Sequence, residues 1–396
     1  MFDISAMKEG GIVAIRDALI ERQQQGFRIA RTESGDPSFE VPLLVRRAME
    51  EALVGNKTHY TPAAGIPELR QAIVEKMKRE TGVVLDGPQG VMVTAGAMNG
   101  LYVLFGALLG DGKDHEVLVP TPTWTETVTN IELNGGRPVY YGVDPFADKP
   151  IDVEALAAKI TPRTAALVIN TPHNPTGVVL NKETLQALVA LCERKGIYLV
   201  SDEAYEHVVY PPARHISPLS LSDYERVVGV YSCSKSYAMS GLRVGYLVTR
   251  GGAIRPRLAR YLRCTVNGVN SVAQHGAAAA IADGVSADIA MMQEEYALRR
   301  RTLLAALERC TVLEPFAPGG AFYVWARMSD WGPIAAAVGK EPGVCDGWDA
   351  TAYLLEHGVG SAPGEVFGPG GPGALRLSFS CPTEQVEMAA DVLSEL

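Results

Sequence analysis

Lys235 lies in the stretch YSCSKSYAMSGLRVG, residues 231–245. An apolar, β-branched run, Val227-Val228-Gly229-Val230-Tyr231, leads into Ser232-Cys233-Ser234-Lys235. A second apolar run, Val244 to Val248, follows Gly241-Leu242-Arg243. An ammonium beside a buried strand is costly without a partner. Such a lysine can shed its proton and attack a carbonyl carbon. Ser232, Ser234 and Arg243 offer two hydroxyls and a guanidinium suited to a phosphate. An amine nucleophile with phosphate anchors points to pyridoxal phosphate held as a Schiff base. A solvent-facing lysine after a strand fits the same stretch, so other segments have to decide.

Those segments carry further chemistry. Asp202 directly follows the apolar run Ile197 to Val200 and Ser201, so its carboxylate needs a cationic or N–H partner; a pyridinium nitrogen is one. Val91 to Thr94 ends in Ala95-Gly96-Ala97-Met98-Asn99-Gly100 before a helix. Small residues at such a turn let backbone N–H groups and the helix's positive end receive a phosphate. The GxGxxG spacing of a dinucleotide site is absent. Trp124, after the strand Glu116 to Pro120, suits either stacking on a flat ring or core packing. His173 and Asn174 lie in a loop stiffened by Pro172, Pro175 and Gly177. Arg376 on the alternating run Leu375 to Phe379 is an anion clamp or an exposed-face residue. Tyr60 offers a phenol to an anion or is a surface tyrosine. Gly35, in RTESGDPSFEVP, bares backbone for a ligand or belongs to a linker. Cys233 reads as a packing residue.

The elements that must hold these residues follow from periodicity. Residues 1–30 read as a helix after a flexible start, and Val45–Leu53 and the stretch opened by Pro67 as further helices. The helix ETLQALVALCERKG is closed by Gly196. Strand and helix alternate at short intervals, which implies a mainly parallel sheet covered on both faces. Ligands of such sheets sit beyond the strands' C-terminal ends. Beyond residue 285 a long charged helix leads into a second, smaller unit.

Composition narrows the classes. A chain of 396 residues can bury a large core. A net charge of −9 and a pI near 5.4 argue against a nucleic-acid binder. No run reaches the length of a membrane helix, and the N-terminus has no apolar signal core. The six cysteines form no CxxC pair or metal spacing, which suggests reduced thiols, a cytoplasmic protein and no metal.

Ten segments, in order, resemble the class I/II aminotransferases of the aspartate/aromatic type, fold type I of the pyridoxal phosphate enzymes. They are SGDPSFEVP, HYTPAAGIPELR, VTAGAMNG, PTW, PHNPTG, SDEAY, SCSKSYAMSGLRVGY, PGGAFYVW, PGEVFG and LRLS. The resemblance covers nearly the whole chain. It implies an α/β fold: a large domain, residues 46–285, with a mainly parallel seven-stranded sheet between helices, and a small α+β domain from residues 1–45 and 286–396.

It implies roles as well. Lys235 resembles the Schiff-base lysine that also shuttles the substrate's proton. Asp202 resembles the carboxylate that keeps the pyridine nitrogen protonated. Tyr205 and Asn174 resemble the pair that bonds the ring's phenolic oxygen. Trp124 and Ala204 would bracket the ring. Ser232, Arg243 and the backbone of Gly96, Ala97 and Met98 match the phosphate anchors; here the chain departs from the family, which has glycine then a small or hydroxyl residue. Tyr60 resembles the tyrosine that reaches the neighbouring subunit's phosphate, which implies a homodimer with shared sites. Arg376, with Gly35 and Asn174, resembles the clamp on the substrate's α-carboxylate.

The implied activity is transamination between an L-amino acid and a 2-oxo acid through pyridoxamine phosphate. A same-fold C–S β-lyase, decarboxylase or oxidase is the alternative, and a ligand-sensing regulator a remote third. For the substrate's side chain, Arg263 is a candidate cation for a second carboxylate. Phe39, Tyr60 and Trp124 are candidates for an apolar pocket.

Overall fold

The computed structural model describes residues 4–396, so the expectation for residues 1–3 lies outside the described residues. The strands in chain order are β1 (Ala30–Arg31), β2 (Val91–Thr94), β3 (Glu116–Thr121), β4 (Arg137–Gly142), β5 (Thr164–Asn170), β6 (Tyr198–Asp202), β7 (Val227–Ser232), β8 (Gly245–Thr249), β9 (Leu313–Phe316), β10 (Tyr323–Met328), β11 (Val359–Gly360), β12 (Ala362–Pro363) and β13 (Ala374–Ser378). Seven of them form one sheet in the order β2-β8-β7-β6-β5-β3-β4. All run parallel except β8, which is antiparallel to both neighbours. The expected mainly parallel seven-stranded sheet is therefore present.

Strand side chains alternate between two apolar layers because the β period is two. Val91, Val93, Leu118, Leu167, Ile169 and Leu199 face one layer. Met92, Val117, Val119, Ala166, Val168 and Val200 face the other. A sheet buried on both faces needs apolar residues at every position, which is why these strands read as unbroken apolar runs. Edge strand β4 escaped the sequence reading because it opens Arg137-Pro138 and is half exposed. Proline is tolerated there since an edge strand lacks a partner on one side.

The helices that matter below are α1 (Ile4–Gln24), α2 (Leu43–Val54), α3 (Pro67–Lys76), α4 (Gly96–Leu109) and α5 (Thr125–Leu133). α4 and α5 cover the sheet face that buries Leu101, Leu104, Phe105 and Ile131. α1 kinks at Gly11, whose φ of 58° and ψ of −143° leave the helical region. Beyond the kink, Ile15 and Leu19 pack against Ile29, Trp348 and Leu355.

A second sheet, β12-β13-β10-β9, is antiparallel. The helices Ser286–Leu307 and Thr383–Leu393 close its core with Leu303, Leu307, Val386 and Leu393. Behind the main sheet, fully buried Lys76 reaches Glu206 at 2.6 Å and Glu80 at 3.0 Å. Such a buried ion is tolerable only with its partners in place.

Candidate active site

Register brings the singled-out residues to one edge of the main sheet. Asn170 stands beside Asp202, Asp202 beside Val230, Ser232 beside Gly245, and Gly245 beside Thr94. β2, β3, β5, β6 and β7 are parallel, so the loops after them emerge together. β8 runs the other way, so its start, with Arg243 just before it, joins the same edge. There a cavity of about 360 Å³ opens. Gly35, Ala97, Met98, Trp124, Asn174, Asp202, Ala204, Tyr205, Ser232, Lys235, Arg243 and Arg376 line it.

Lys235 sits on a one-turn helix, Cys233–Ser236, started by Ser232, whose Oγ accepts the Ser234 N–H at 3.1 Å. Lys235 Nζ donates to the Gly35 carbonyl at 2.6 Å. Burial lowers the ammonium to about 8, with Asp36 opposing. Asp202 is 7% exposed and accepts the Ala204 N–H at 3.1 Å. Burial pushes its carboxyl up to about 7 against that bond, and Glu203 adds to the rise. Cys233 is buried and its thiol is pushed up to about 12, as a packing residue would be.

Arg376 projects from β13, donating from Nη1 to Asn174 Oδ1 at 3.0 Å and from Nη2 to the Glu33 carbonyl at 2.6 Å. Its guanidinium lies 4.3 Å from the Tyr323 ring centre and 4.8 Å from that of Phe367. Its Nε is buried without a partner among the described residues. The Tyr323 hydroxyl lies 2.9 Å from that of Tyr205, and burial pushes both phenols up. A side chain at residue 35 would collide with the Tyr323 hydroxyl. Glycine at 35 is thus required by Tyr323, and its backbone carbonyl is the one that Lys235 meets.

α4 begins without a side-chain cap, so its first N–H groups remain for a ligand. Gly96 does not line the cavity but backs it, with φ of 81°; a Cβ there would sit 2.7 Å from Arg243 Nη2. Arg243 has φ of 54° and donates to the Ser240 carbonyl at 2.7 Å.

These features fit pyridoxal phosphate. Among the described residues the buried Asp202 carboxylate has no cationic partner, and a protonated ring nitrogen is one. Helix N–H groups, Ser232 and Arg243 form an anion cradle. A lysine near 8 carries an appreciable free-amine fraction at neutral pH.

Three candidate residues do not line this chain's own cavity, and for Tyr60 the expectation is the neighbouring subunit's phosphate. Tyr60 is 95% exposed, and Arg263 is exposed on the helix Arg255–Thr265; neither lines the cavity. Phe39 packs edge-on against Tyr296, with Arg299 over its ring, so it is no wall of the site. The sequence reading passed over Tyr323, Glu126, Ile12, Val13 and Arg16, which all line the cavity. Tyr323 carried a weak signal, an aromatic on an alternating strand. Arg16 next to Asp17 reads as a solvated helix face.

The model for aminotransferase class I and II matches residues 32–393. The aspartate/prephenate aminotransferase of Thermus thermophilus is 35% identical over 390 residues, covering 98% of this chain and 96% of its own. The solved aspartate aminotransferase of Thermus thermophilus with maleate superposes with a TM-score of 0.88 at 34% identity, covering 97% of this chain and 96% of that one. An aromatic aminotransferase from Pyrococcus horikoshii gives 0.85 at 32% identity, covering 95% and 98%. With its sheet, cavity and cradle as described, the chain belongs to the class I and II aminotransferases, pyridoxal-phosphate-dependent enzymes that move an amino group between an amino acid and a 2-oxo acid.

Proposed function

We propose that Lys235, Asp202 and Tyr205 carry the chemistry of transamination and that Arg376, Asn174 and Gly35 hold the substrate's α-carboxylate. The carrying observation is that a lysine lowered to about 8, a buried unpaired carboxylate and a buried guanidinium with a free Nε share one cavity. Bound pyridoxal phosphate supplies a carbonyl carbon for amine capture and a ring that withdraws electrons from the substrate's Cα. Lys235 Nζ would be the nucleophile toward that carbonyl carbon and would hold the proton that leaves the substrate's Cα. Asp202 would hold the proton on the ring nitrogen. Tyr205 and Asn174 would donate to the phenolic oxygen. Trp124 and Ala204 would bracket the ring, and Ser232, Arg243 and the N–H groups of Gly96, Ala97 and Met98 would hold the phosphate. Arg376 grips the α-carboxylate so that the Cα–H bond faces Lys235, an orientation effect.

For substrates we favour the aspartate/aromatic type. The names of the relatives, aspartate/prephenate and aromatic aminotransferase, support that choice. A half-reaction screen tests it: the loaded enzyme is mixed with single amino acids while the visible absorbance is followed. Aspartate, glutamate or phenylalanine should bleach it, and Lys235→Ala should show neither the absorbance nor turnover. Full activity in Lys235→Ala would refute the roles, and ammonia and pyruvate released from cysteine would mark a lyase.

We further infer a homodimer in which Tyr60 reaches its neighbour's phosphate site. Its 95% exposure, with Leu53 at 57% and Val54 at 90% on the nearby end of α2, supports this. Sedimentation as a monomer would remove it. Two largely separate apolar cores, the second also taking in Ala204, Tyr205, Val208, Tyr210 and Ala238, support domains of 46–285 and of 1–45 with 286–396, checkable by limited proteolysis at the joins. No helix of the described residues is long and apolar enough to cross a membrane. Six free thiols support the cytoplasm, which cell fractionation checks.

A further inference from the structure

We propose that the buried ion pair of Lys76 with Glu206 is a positioning device: from behind the sheet it clamps one corner of the turn whose tip presents Tyr205 to the cofactor. The inference rests on the assignment of Tyr205 to the cofactor's phenolic oxygen, and it adds two residues that act through that phenol.

Residues Glu203 to Glu206 form a tight turn. The Glu203 N–H donates to the Val230 carbonyl at 2.8 Å, and the Glu206 N–H closes the turn on the Glu203 carbonyl at 3.0 Å. The tip residues, Ala204 and Tyr205, line the cavity, whereas the corner residues, Glu203 and Glu206, do not. Both corner carboxylates are buried and held from behind. Glu203 accepts from Ser217 Oγ at 2.9 Å and lies 2.8 Å from His215 Nε2. Its backbone is tied to β7 as well. The Glu206 corner lies past the end of β6, and its carboxylate accepts from Lys76 Nζ, the last residue of α3, at 2.6 Å across 130 positions of chain.

Stability does not account for this pair. Apolar side chains of similar volume are often as stable as a buried ion pair or more so. Glu206 Oε1 is moreover buried without a partner among the described residues, which adds to the cost. What a hydrogen-bonded pair supplies, and apolar packing does not, is one fixed direction. Burial opposes the Lys76 ammonium, and Glu206 with Glu80 outweighs it and raises the group, so the clamp stays charged. Glu80 is itself shared with His207 Nε2 at 3.0 Å. A second route from the pair leads to the Lys235 turn. Lys76 Nζ lies 5.5 Å from the ring centre of Tyr231, and the His207 ring lies 5.7 Å from that of Tyr237. The test separates the two routes.

The variants are Glu206→Gln, the double variant Lys76→Met with Glu206→Leu, Tyr205→Phe, and the triple combination. Glu206→Gln should melt about 5 °C or more below wild type, because Lys76 loses a charged partner. The double variant removes both charges, leaves Glu80 to His207, and should melt within about 2 °C of wild type. Two readouts then ask for more than stability. In the cofactor-free full chain, hydrogen exchange of the peptide spanning residues 202–208 should quicken about tenfold or more in the double variant. In the loaded enzyme, the pH midpoint of the visible absorbance should rise by about one unit, since a phenolic oxygen that loses a donor lets a neighbouring proton be held more tightly. Tyr205→Phe should give the same rise, and the triple variant no more than Tyr205→Phe alone. The proposal is overturned if the double variant exchanges and titrates as wild type does, which would leave the pair a purely structural one. It is also overturned if the triple variant's shift is the sum of the other two, which would mean the route through the Lys235 turn. A midpoint unmoved in Tyr205→Phe would count against the role of that phenol, with the exchange arm still deciding whether the pair holds the turn.

Discussion

Replacing Asp202 by asparagine should move the cofactor-free and cofactor-loaded proteins in opposite directions. In the cofactor-free chain the buried carboxyl rises from 3.8 to about 7. The native state therefore holds this proton more tightly than the unfolded chain does. That makes Asp202 a destabilising group above its unfolded value: no cost below pH 3.8, a growing cost towards pH 7, and the full cost beyond. At about 1.36 kcal/mol per pH unit, the full cost is about 4 kcal/mol. An asparagine side chain carries no charge and escapes it. Cofactor-free Asp202→Asn should then exceed wild type by up to about 4 kcal/mol at pH 8, roughly 5 °C in melting temperature for a chain of this length. The two should melt together at pH 4. With cofactor bound the order reverses, because asparagine cannot hold a proton on the ring nitrogen. Turnover should fall by about 10²- to 10⁴-fold, as for one lost buried charge pair of about 3–5 kcal/mol. Thermal melts of both forms at pH 4 and pH 8, with turnover at pH 8, measure all of this. A cofactor-free Asp202→Asn less stable than wild type at pH 8, or a difference that ignores pH, would refute the reasoning.

Two further outcomes follow from the same site. Gly96→Ala places a methyl in left-handed backbone, at about 1–2 kcal/mol, and pushes it against Arg243 Nη2. Cofactor affinity, titrated by absorbance, should fall by about tenfold or more while the melting curve of the cofactor-free protein shifts only slightly. Capture of pyridoxal phosphate by cofactor-free enzyme requires the free amine of Lys235, held near 8. Its rate should rise about fivefold from pH 7 to pH 8 and level off above pH 9; a rise continuing past pH 10 would mean an ordinary, solvated lysine.

What the sequence determined is local. Val91 to Thr94 and Val227 to Ser232 are buried along their whole length, and their apolar runs mark strands covered on both faces, as in a mainly parallel sheet. Lys235, Asp202 and Trp124 were legible because each lies at or just past the end of such a strand, and parallel strands deliver their loops to one end. What tertiary structure decided is distance. Arg376 meets Asn174 across 202 positions of chain, and Tyr323 meets Tyr205 across 118. No periodicity encodes either pair, because both depend on how the smaller antiparallel sheet docks on the larger one. The same holds for Arg16: its local pattern, a charge beside a charge on a helix, is that of a solvated face. The packing of Ile15 and Leu19 turns that face over the cavity. Local pattern sets which elements form and which groups lie at their ends, whereas burial of distant apolar faces against one another sets which of those groups meet.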